Sequence, residues 1–284
     1  MSRRLRAGAV SAAASAAAWR ALLAAPPGGA DRWGRTNHRG EPVTLLEGPA
    51  YAAGAVAAVV LASGGPARLR AAATVATATA AALGGYDDLA GDGSSRGLGG
   101  HLKALARGEV STGAVKLAGL GLCGVATAAL VPPRPGEATQ GVRRWVDVLA
   151  SGALVAGTAN LVNLLDLRPG RALKVVTGLA AATALAGGAG SSVAAAALGP
   201  ALANLPADLG ERAMLGDTGA NAAGALLGTA WVARLPRAGR LAALATVTAL
   251  TLASERVSFT AVIERTPALR AVDQLGRRPP DPAA

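Results

Sequence analysis

The sequence predicts an all-α protein: a polytopic transmembrane helix bundle of about nine spans, with its active-site loops gathered on the cytoplasmic face. Three observations carry this. First, 51% of the 284 residues are hydrophobic and only 16% are charged, whereas a soluble chain carries about a quarter charged residues. Second, the charges sit in short clusters separated by runs of Ala, Val, Leu and Gly; several reach about 15–20 residues, enough to cross a hydrocarbon core about 30 Å thick. Third, these runs lack the charges at helical spacing that a soluble Ala-rich bundle would carry on its outer faces.

The spans follow in order. The first, 7–25, comes after Arg3, Arg4 and Arg6. Its apolar run exceeds the signal-peptide core of about 7–15 residues, and Trp19 and Arg20 end it without a clean cleavage site, so it reads as a retained span. Next come 49–65 and 69–85, then 114–131 and 146–165. The pair 173–189 and 191–206 is divided only by Gly187, Gly188 and Gly190. The last two are 219–233 and 239–254. The chain 1–284 reads as one integral membrane domain with flexible tails at 1–6 and 276–284. The spans are rich in Ala and Gly, which permit close helix approach in lipid. Trp19, Trp33, Tyr51, Tyr86, Trp145 and Trp231 fall near span ends or in loops, as amphipathic rings prefer.

An odd number of spans puts the termini on opposite faces. One face then receives 26–48, 86–113, 166–172, 207–218 and the chain from 255. It holds all three lysines and every acidic residue except Glu137 and Asp147, and about 17 of the 28 Lys and Arg. The positive excess marks it as cytoplasmic and the protein as a multi-pass plasma-membrane protein, although Arg3, Arg4 and Arg6 pull the other way. Cys123 is the single cysteine, which excludes an intrachain disulfide and a cysteine-based metal site. The net charge of +11 suits arginines at helix ends meeting anionic lipid. Basic and aromatic residues are not interleaved as a nucleic-acid surface requires.

Three constellations on that face carry chemistry. Gly84-Gly85-Tyr86-Asp87-Asp88 closes the third span. Paired carboxylates at a membrane boundary are costly and mark a functional site, and hard oxygen donors suit Mg²⁺ or Mn²⁺; a solvated helix end is the plainer alternative. Asn160, Asn163 and Asp166 recur at intervals of three along the fifth span, so they share one helix face. The plainer alternative is interhelical hydrogen bonding. Arg168, Arg171 and Lys174 follow, a cation cluster at a helix start that would suit a diphosphate. Met214-Leu215-Gly216-Asp217-Thr218-Gly219-Ala220-Asn221 opens the eighth span, where a Gly-Asp-x-Gly turn lets backbone approach a ligand.

These motifs, in this order and topology, resemble the polyprenyl-phosphate N-acetylhexosamine-1-phosphate transferases, the family that includes phospho-N-acetylmuramoyl-pentapeptide transferase. That family has an Asp-Asp pair after the third span, Asn-x-x-Asn-x-x-Asp at the fifth and Gly-Asp-x-Gly at the eighth. Asn37–Thr44 resembles its first cytoplasmic loop. Gly97–Leu105 with Thr112, Gly113 and Lys116 resembles its second. The resemblance covers roughly 35–275. The chain departs in having nine spans rather than ten, no histidine after His101, Leu46-Glu47-Gly48 in place of a Gly-Gly pair, and Leu-Arg-Pro-Gly after Asp166.

The resemblance implies transfer of an N-acetylated amino-sugar 1-phosphate from a UDP-amino sugar to a polyprenyl phosphate in the lipid bilayer. UMP is released, and a cell-wall or envelope glycopolymer is begun. It implies Mg²⁺ or Mn²⁺ as cofactor, with Asp217 the main ligand and Asp88 sharing the metal. Asp87, Asp88 and Asp217 are then the catalytic residues. Asn160, Asn163, Asp166, Lys116, Arg168 and Arg171 bind the substrates. No nucleic-acid partner is expected, and a homodimer is compatible with the pattern. Two other classes fit less of the sequence. An inactive relative would bind the lipid carrier or a partner protein. A transporter would place its polar residues at mid-span, not at helix ends.

Overall fold

The computed structural model describes residues 1–90, 112–137 and 140–279. Its long helices are α1 (Arg3–Ala24), α2 (Glu47–Leu61), α3 (Ala67–Ala90), α4 (Thr112–Leu130), α5 (Gly141–Leu165), α6 (Arg171–Leu185), α7 (Ser191–Leu209), α8 (Gly216–Arg234) and α9 (Arg237–Ser254). Two short helices follow, α10 (Phe259–Arg265) and α11 (Pro267–Gln274). Among the described residues the only strands form one small antiparallel hairpin, β1 (Gly34–Thr36) and β2 (Pro42–Thr44), with Arg35 opposite Val43.

Local sequence sets the boundaries. Ala-rich runs favour helix, and several stop at a glycine or proline. Gly187, Gly188 and Gly190 all have positive φ and form the turn between α6 and α7. Gly170, at φ 70°, precedes α6, and Pro236 precedes α9. By length and composition α1, α4 and α5 are able to cross a membrane. The apolar α2 has 15 residues, a rise of about 22 Å.

Size is distributed inversely to a water-soluble core. The buried interior is mostly alanine, while Leu61, Leu122, Leu149, Leu185 and Leu252 are exposed. Small residues inside and aliphatics outside suit packing in lipid. Glycines set the closest approaches. A β-carbon on Gly54 would lie 2.6 Å from Ser15 Cβ, between α1 and α2, and one on Gly224 would lie 2.6 Å from Ala159 Cα, between α5 and α8. α8 is the central helix, buried on nearly every side and packed on α2, α3, α5, α6 and α7.

Polar contacts collect at the two ends of the bundle. At one end Arg237 pairs with Asp147 at 2.6 Å and Arg240 with Glu137 at 2.9 Å, while Arg4 donates to Ala184 and Leu185 carbonyls. At the other end the hairpin, the first turn of α8, the α5–α6 turn and the segment after α9 meet. There Met214 N donates to Thr44 O at 2.9 Å. A small second core of Trp33, Leu45 and Leu46 forms beside them, packed by Trp19, Leu22, Leu89 and Met214.

Several expectations change. Residues 3–6 belong to α1 and are not a loose tail. Residues 276–279 are likewise tied down, because Arg277 donates to Pro169 O and Arg278 pairs with Glu41; residues 280–284 lie outside the described residues. Tyr51 is fully buried and donates to Ala197 O at 2.8 Å, so it packs between helices and is not an interfacial ring. The segment Gly97–Leu105, with His101 and Lys103, lies outside the described residues.

Candidate active site

The site is built around the first turn of α8. The end of α3 presses onto it because glycines remove the obstacles: a β-carbon on Gly84 would overlap the Asp217 carbonyl and lie 2.6 Å from Thr218 N. From the other side, a β-carbon on Gly48 would lie 2.7 Å from Gly219 N. Gly216 itself needs glycine, with φ 62° and the Asp88 carboxylate against its α-carbon.

This approach makes Asp88 a cap for α8. Its Oδ1 accepts from Asp217 N at 3.0 Å; its Oδ2 accepts from Thr218 N at 2.9 Å and Thr218 Oγ1 at 2.6 Å. The N-terminal turn of a helix has amide groups without intrahelical acceptors and a positive dipole end, and a carboxylate from a neighbouring helix satisfies both. Arg35, on the hairpin, donates to the Asp88 carbonyl.

Asp87 faces a different way. Its Oδ2 accepts from Lys116 Nζ at 2.7 Å, and the same ammonium bonds Asp217 Oδ2. The Lys116, Asp87 and Asp217 side chains are 11%, 17% and 25% exposed, so two carboxylates from different helices converge on one partly shielded cation.

Asp166 comes from the end of α5. Its carboxylate faces the Gly216 amide, within electrostatic reach of Asp217 and Asp88. The α5–α8 packing runs from Gly228 against Val155 to Gly224 against Ala159, and this antiparallel register places Asn163 near the level of Ala220. Asn160 and Asn163 are half-buried, and neither appears in a side-chain hydrogen bond among the described residues.

A cleft of about 360 Å³, counted to its open mouth, adjoins this centre. Asn37, His38, Asp166, Arg168, Asp208 and Glu211 are among its lining residues. Glu211 is rigidly held: it has φ 54°, accepts from Arg39 Nε at 3.1 Å and Asn37 Nδ2 at 3.1 Å, and is 5% exposed. Burial lowers the His38 pKa, although the Glu211 charge opposes that shift. Among the described residues, Asp208 Oδ2 and both oxygens of Glu47 are buried without a hydrogen-bond partner.

Asp87, Asp88, Asp166, Asp217 and Lys116 thus come together from four helices, α3, α4, α5 and α8, and Arg168 lines the adjoining cleft. Arg171 does not join them. Only 4% exposed, it donates through Nε to Asp273 Oδ1 at 2.8 Å, through its NH2 group to Asp273 Oδ2 at 3.3 Å and through its NH1 group to Thr260 at 3.0 Å. Its guanidinium fork is filled by the chain's own carboxylate, so phosphate binding by Arg171 is corrected to a structural clasp. Sequence reasoning missed the capping hydroxyl of Thr218 and the acids Asp208, Glu211 and Glu47. Glu47 left one signal, a carboxylate at the start of an apolar run where the resembled family has glycine.

Among the described residues no three His, Cys, Asp or Glu side chains form a ready metal-ligand cluster. Mg²⁺ needs fewer protein ligands than that, since it usually binds one or two carboxylates, waters and substrate phosphates. Asp87 and Asp217 already converge on a cation, and that donor set fits. Asp88 fits less well, because both its oxygens are occupied by α8. No protein-family model matches the chain, and no curated protein is significantly similar to it.

Proposed function

We propose that this protein is a nine-span plasma-membrane phosphoglycosyl transferase. It moves an N-acetylated amino-sugar 1-phosphate from a UDP-amino sugar to a polyprenyl phosphate on the cytoplasmic face, releasing UMP and starting a cell-wall or envelope glycopolymer. The observation that carries the reading is the convergence of Asp87, Asp88, Asp166 and Asp217 on one helix N-terminus at one end of the bundle, beside Lys116. A transporter would need polar groups along a path, whereas these crowd at helix ends.

In the reaction an oxygen of the lipid phosphate bonds to the sugar-linked phosphorus of the UDP-sugar. The phosphoanhydride bond to UMP breaks, and its electron pair leaves with UMP. Two anionic phosphates must meet, so charge compensation and alignment dominate the barrier. Mg²⁺ or Mn²⁺, when bound, supplies Lewis-acid neutralisation of the phosphate oxygens; Asp217 and Asp87 are the residues that would hold it. Lys116, which lies between those carboxylates, would supply positive charge to a phosphate oxygen. Asp88 holds the turn that aims Asp217, which makes it a positioning residue and transfers the second metal contact to Asp87. Asn163 and Asp166 orient the nucleotide side, and Arg168 meets its phosphates from the cleft.

The experiment is a reconstituted assay with undecaprenyl phosphate, Mg²⁺ and a panel of UDP-amino sugars, read as UMP release. Release that needs both the lipid phosphate and the divalent ion is the expected result. Lipid-phosphate binding without release from any UDP-sugar would instead identify an inactive relative that binds the carrier.

A further inference from the structure

The segment after α9 presents its apolar side outward. In α11 only Asp273 is buried, and its carboxylate receives Arg171 at 2.8 Å and Arg277 at 2.8 Å. Leu269 and Val272 are three apart and so share a helix face, and Leu275 follows just beyond the helix. These three are 47%, 61% and 71% exposed. A surface helix of a water-soluble protein turns its apolar stripe inward; α11 turns inward a carboxylate held by two arginines. α10 has no buried residue, and Val262 on it is exposed.

Two observations say what covers this face. The outer face of α9 carries exposed Leu250 and Leu252, so the apolar surface of the last long helix continues onto the segment that follows it. Arg256, Arg265 and Arg270 are exposed along the same segment, accompanied by Glu255 and Glu264. Apolar side chains beside arginines, at the end of a bundle with membrane-length apolar helices, match the chemistry of a helix lying in the boundary of an anionic bilayer.

We propose that residues 255–275 form a membrane-surface segment that seats Val262, Leu269, Val272 and Leu275 in the acyl boundary of an anionic leaflet. Asp273 ties the segment to Arg171 at the start of α6, while Lys174 donates to the Asp273 carbonyl at 2.6 Å. The leaflet thereby positions the clasp beside the cleft. The inference goes beyond the proposed reaction and rests only on the protein being membrane-embedded, so an inactive enzyme would leave it standing.

The test uses the full chain with Cys123→Ala and single cysteines at 269, 272 and 274, spin-labelled and reconstituted into vesicles with or without phosphatidylglycerol. Labels at 269 and 272 are expected to collide mainly with oxygen, and the label at 274 mainly with a water-soluble nickel chelate. The pattern should strengthen with phosphatidylglycerol. Each arginine near an anionic surface shifts partitioning by about fivefold, so Arg265→Glu with Arg270→Glu should abolish the phosphatidylglycerol dependence at 272. As a second readout, unlabelled Leu269→Ser/Val272→Ser protein should be cut by trypsin at Arg270 faster than the parent in the same vesicles. Equal nickel access at all three positions, or protection at 272 that depends on protein concentration and so on a second copy, would overturn the proposal.

Discussion

Asp87 and Asp88 are neighbours with different work. Asp88 accepts three hydrogen bonds from the first turn of α8, whereas Asp87 shares Lys116 with Asp217. Removing a helix cap costs about 0.5–2 kcal/mol, so Asp88→Ala should lower the melting temperature and activity together. Asp217→Asn should leave the melting temperature nearly unchanged and lower turnover by several orders of magnitude, because charge developing in the transition state loses its compensation. Full activity in Asp217→Asn would remove the metal assignment. Asn163 separates a binding role from a structural one. Were it gluing helices, Asn163→Ala would cost about 0.6 kcal/mol, the average for an interhelical membrane hydrogen bond, with turnover preserved. Its amide bonds no described side chain, so the account predicts the opposite: unchanged stability and turnover down by about 100-fold, the scale of a 1 Å misplacement.

At the scale of elements, the α3–α8 contact decides whether the site assembles. Gly84→Ala puts a methyl group into the Asp217 carbonyl and Thr218 amide, where rigid backbone has little room to yield. Overpacking of this kind costs about 1–3 kcal/mol. A melting curve should show that loss, and activity should fall with it because Asp88 and Asp217 shift apart. Gly85→Ala, whose added carbon would meet Thr218 Oγ1 at 3.3 Å, should be milder. The segment after α9 gives a pH prediction. The hydrogen bond from Arg278 lowers the Glu41 pKa, so this pairing contributes fully above the unfolded glutamate pKa and is lost as pH falls through the lower folded value. A spin label on a cysteine at position 279, in a Cys123→Ala background, should therefore gain mobility as the solution is acidified below the ordinary glutamate range, and Glu41→Gln should show that mobility already at neutral pH.

Much of this was legible because the signals were local. The Gly187–Gly190 break, the face shared by Asn163 and Asp166, and the glycine before Asp217 depend on spacing and backbone chemistry within a few residues. Three features depended on packing across long sequence separations. Asp88 and Asp87 look equivalent in sequence, and only the approach of α3 to α8 divides their roles. Arg171 reads as a phosphate ligand until Asp273, about a hundred positions later, fills its fork. Tyr51 reads as an interfacial ring because its hydroxyl has no visible partner in sequence; the partner is the Ala197 carbonyl on α7.

For the whole molecule, the two polar ends make a topology prediction. In a Cys123→Ala background, a cysteine at position 31, in the loop after α1, and one at position 264 should both label from the cytoplasmic side. A cysteine at position 135, between α4 and α5, should label from outside the cell. Positions 31 and 264 labelling from opposite sides would contradict the nine-span arrangement. The central claim is that the acidic centre at the start of α8 transfers a sugar phosphate with help from a divalent ion, and UMP release by purified, reconstituted protein tests it most directly. The account predicts release that requires undecaprenyl phosphate, Mg²⁺ or Mn²⁺ and one UDP-amino sugar, and that disappears in Asp217→Asn of unchanged melting temperature. Equal release from the parent and Asp217→Asn, or release that persists after the divalent ion is chelated, would contradict it.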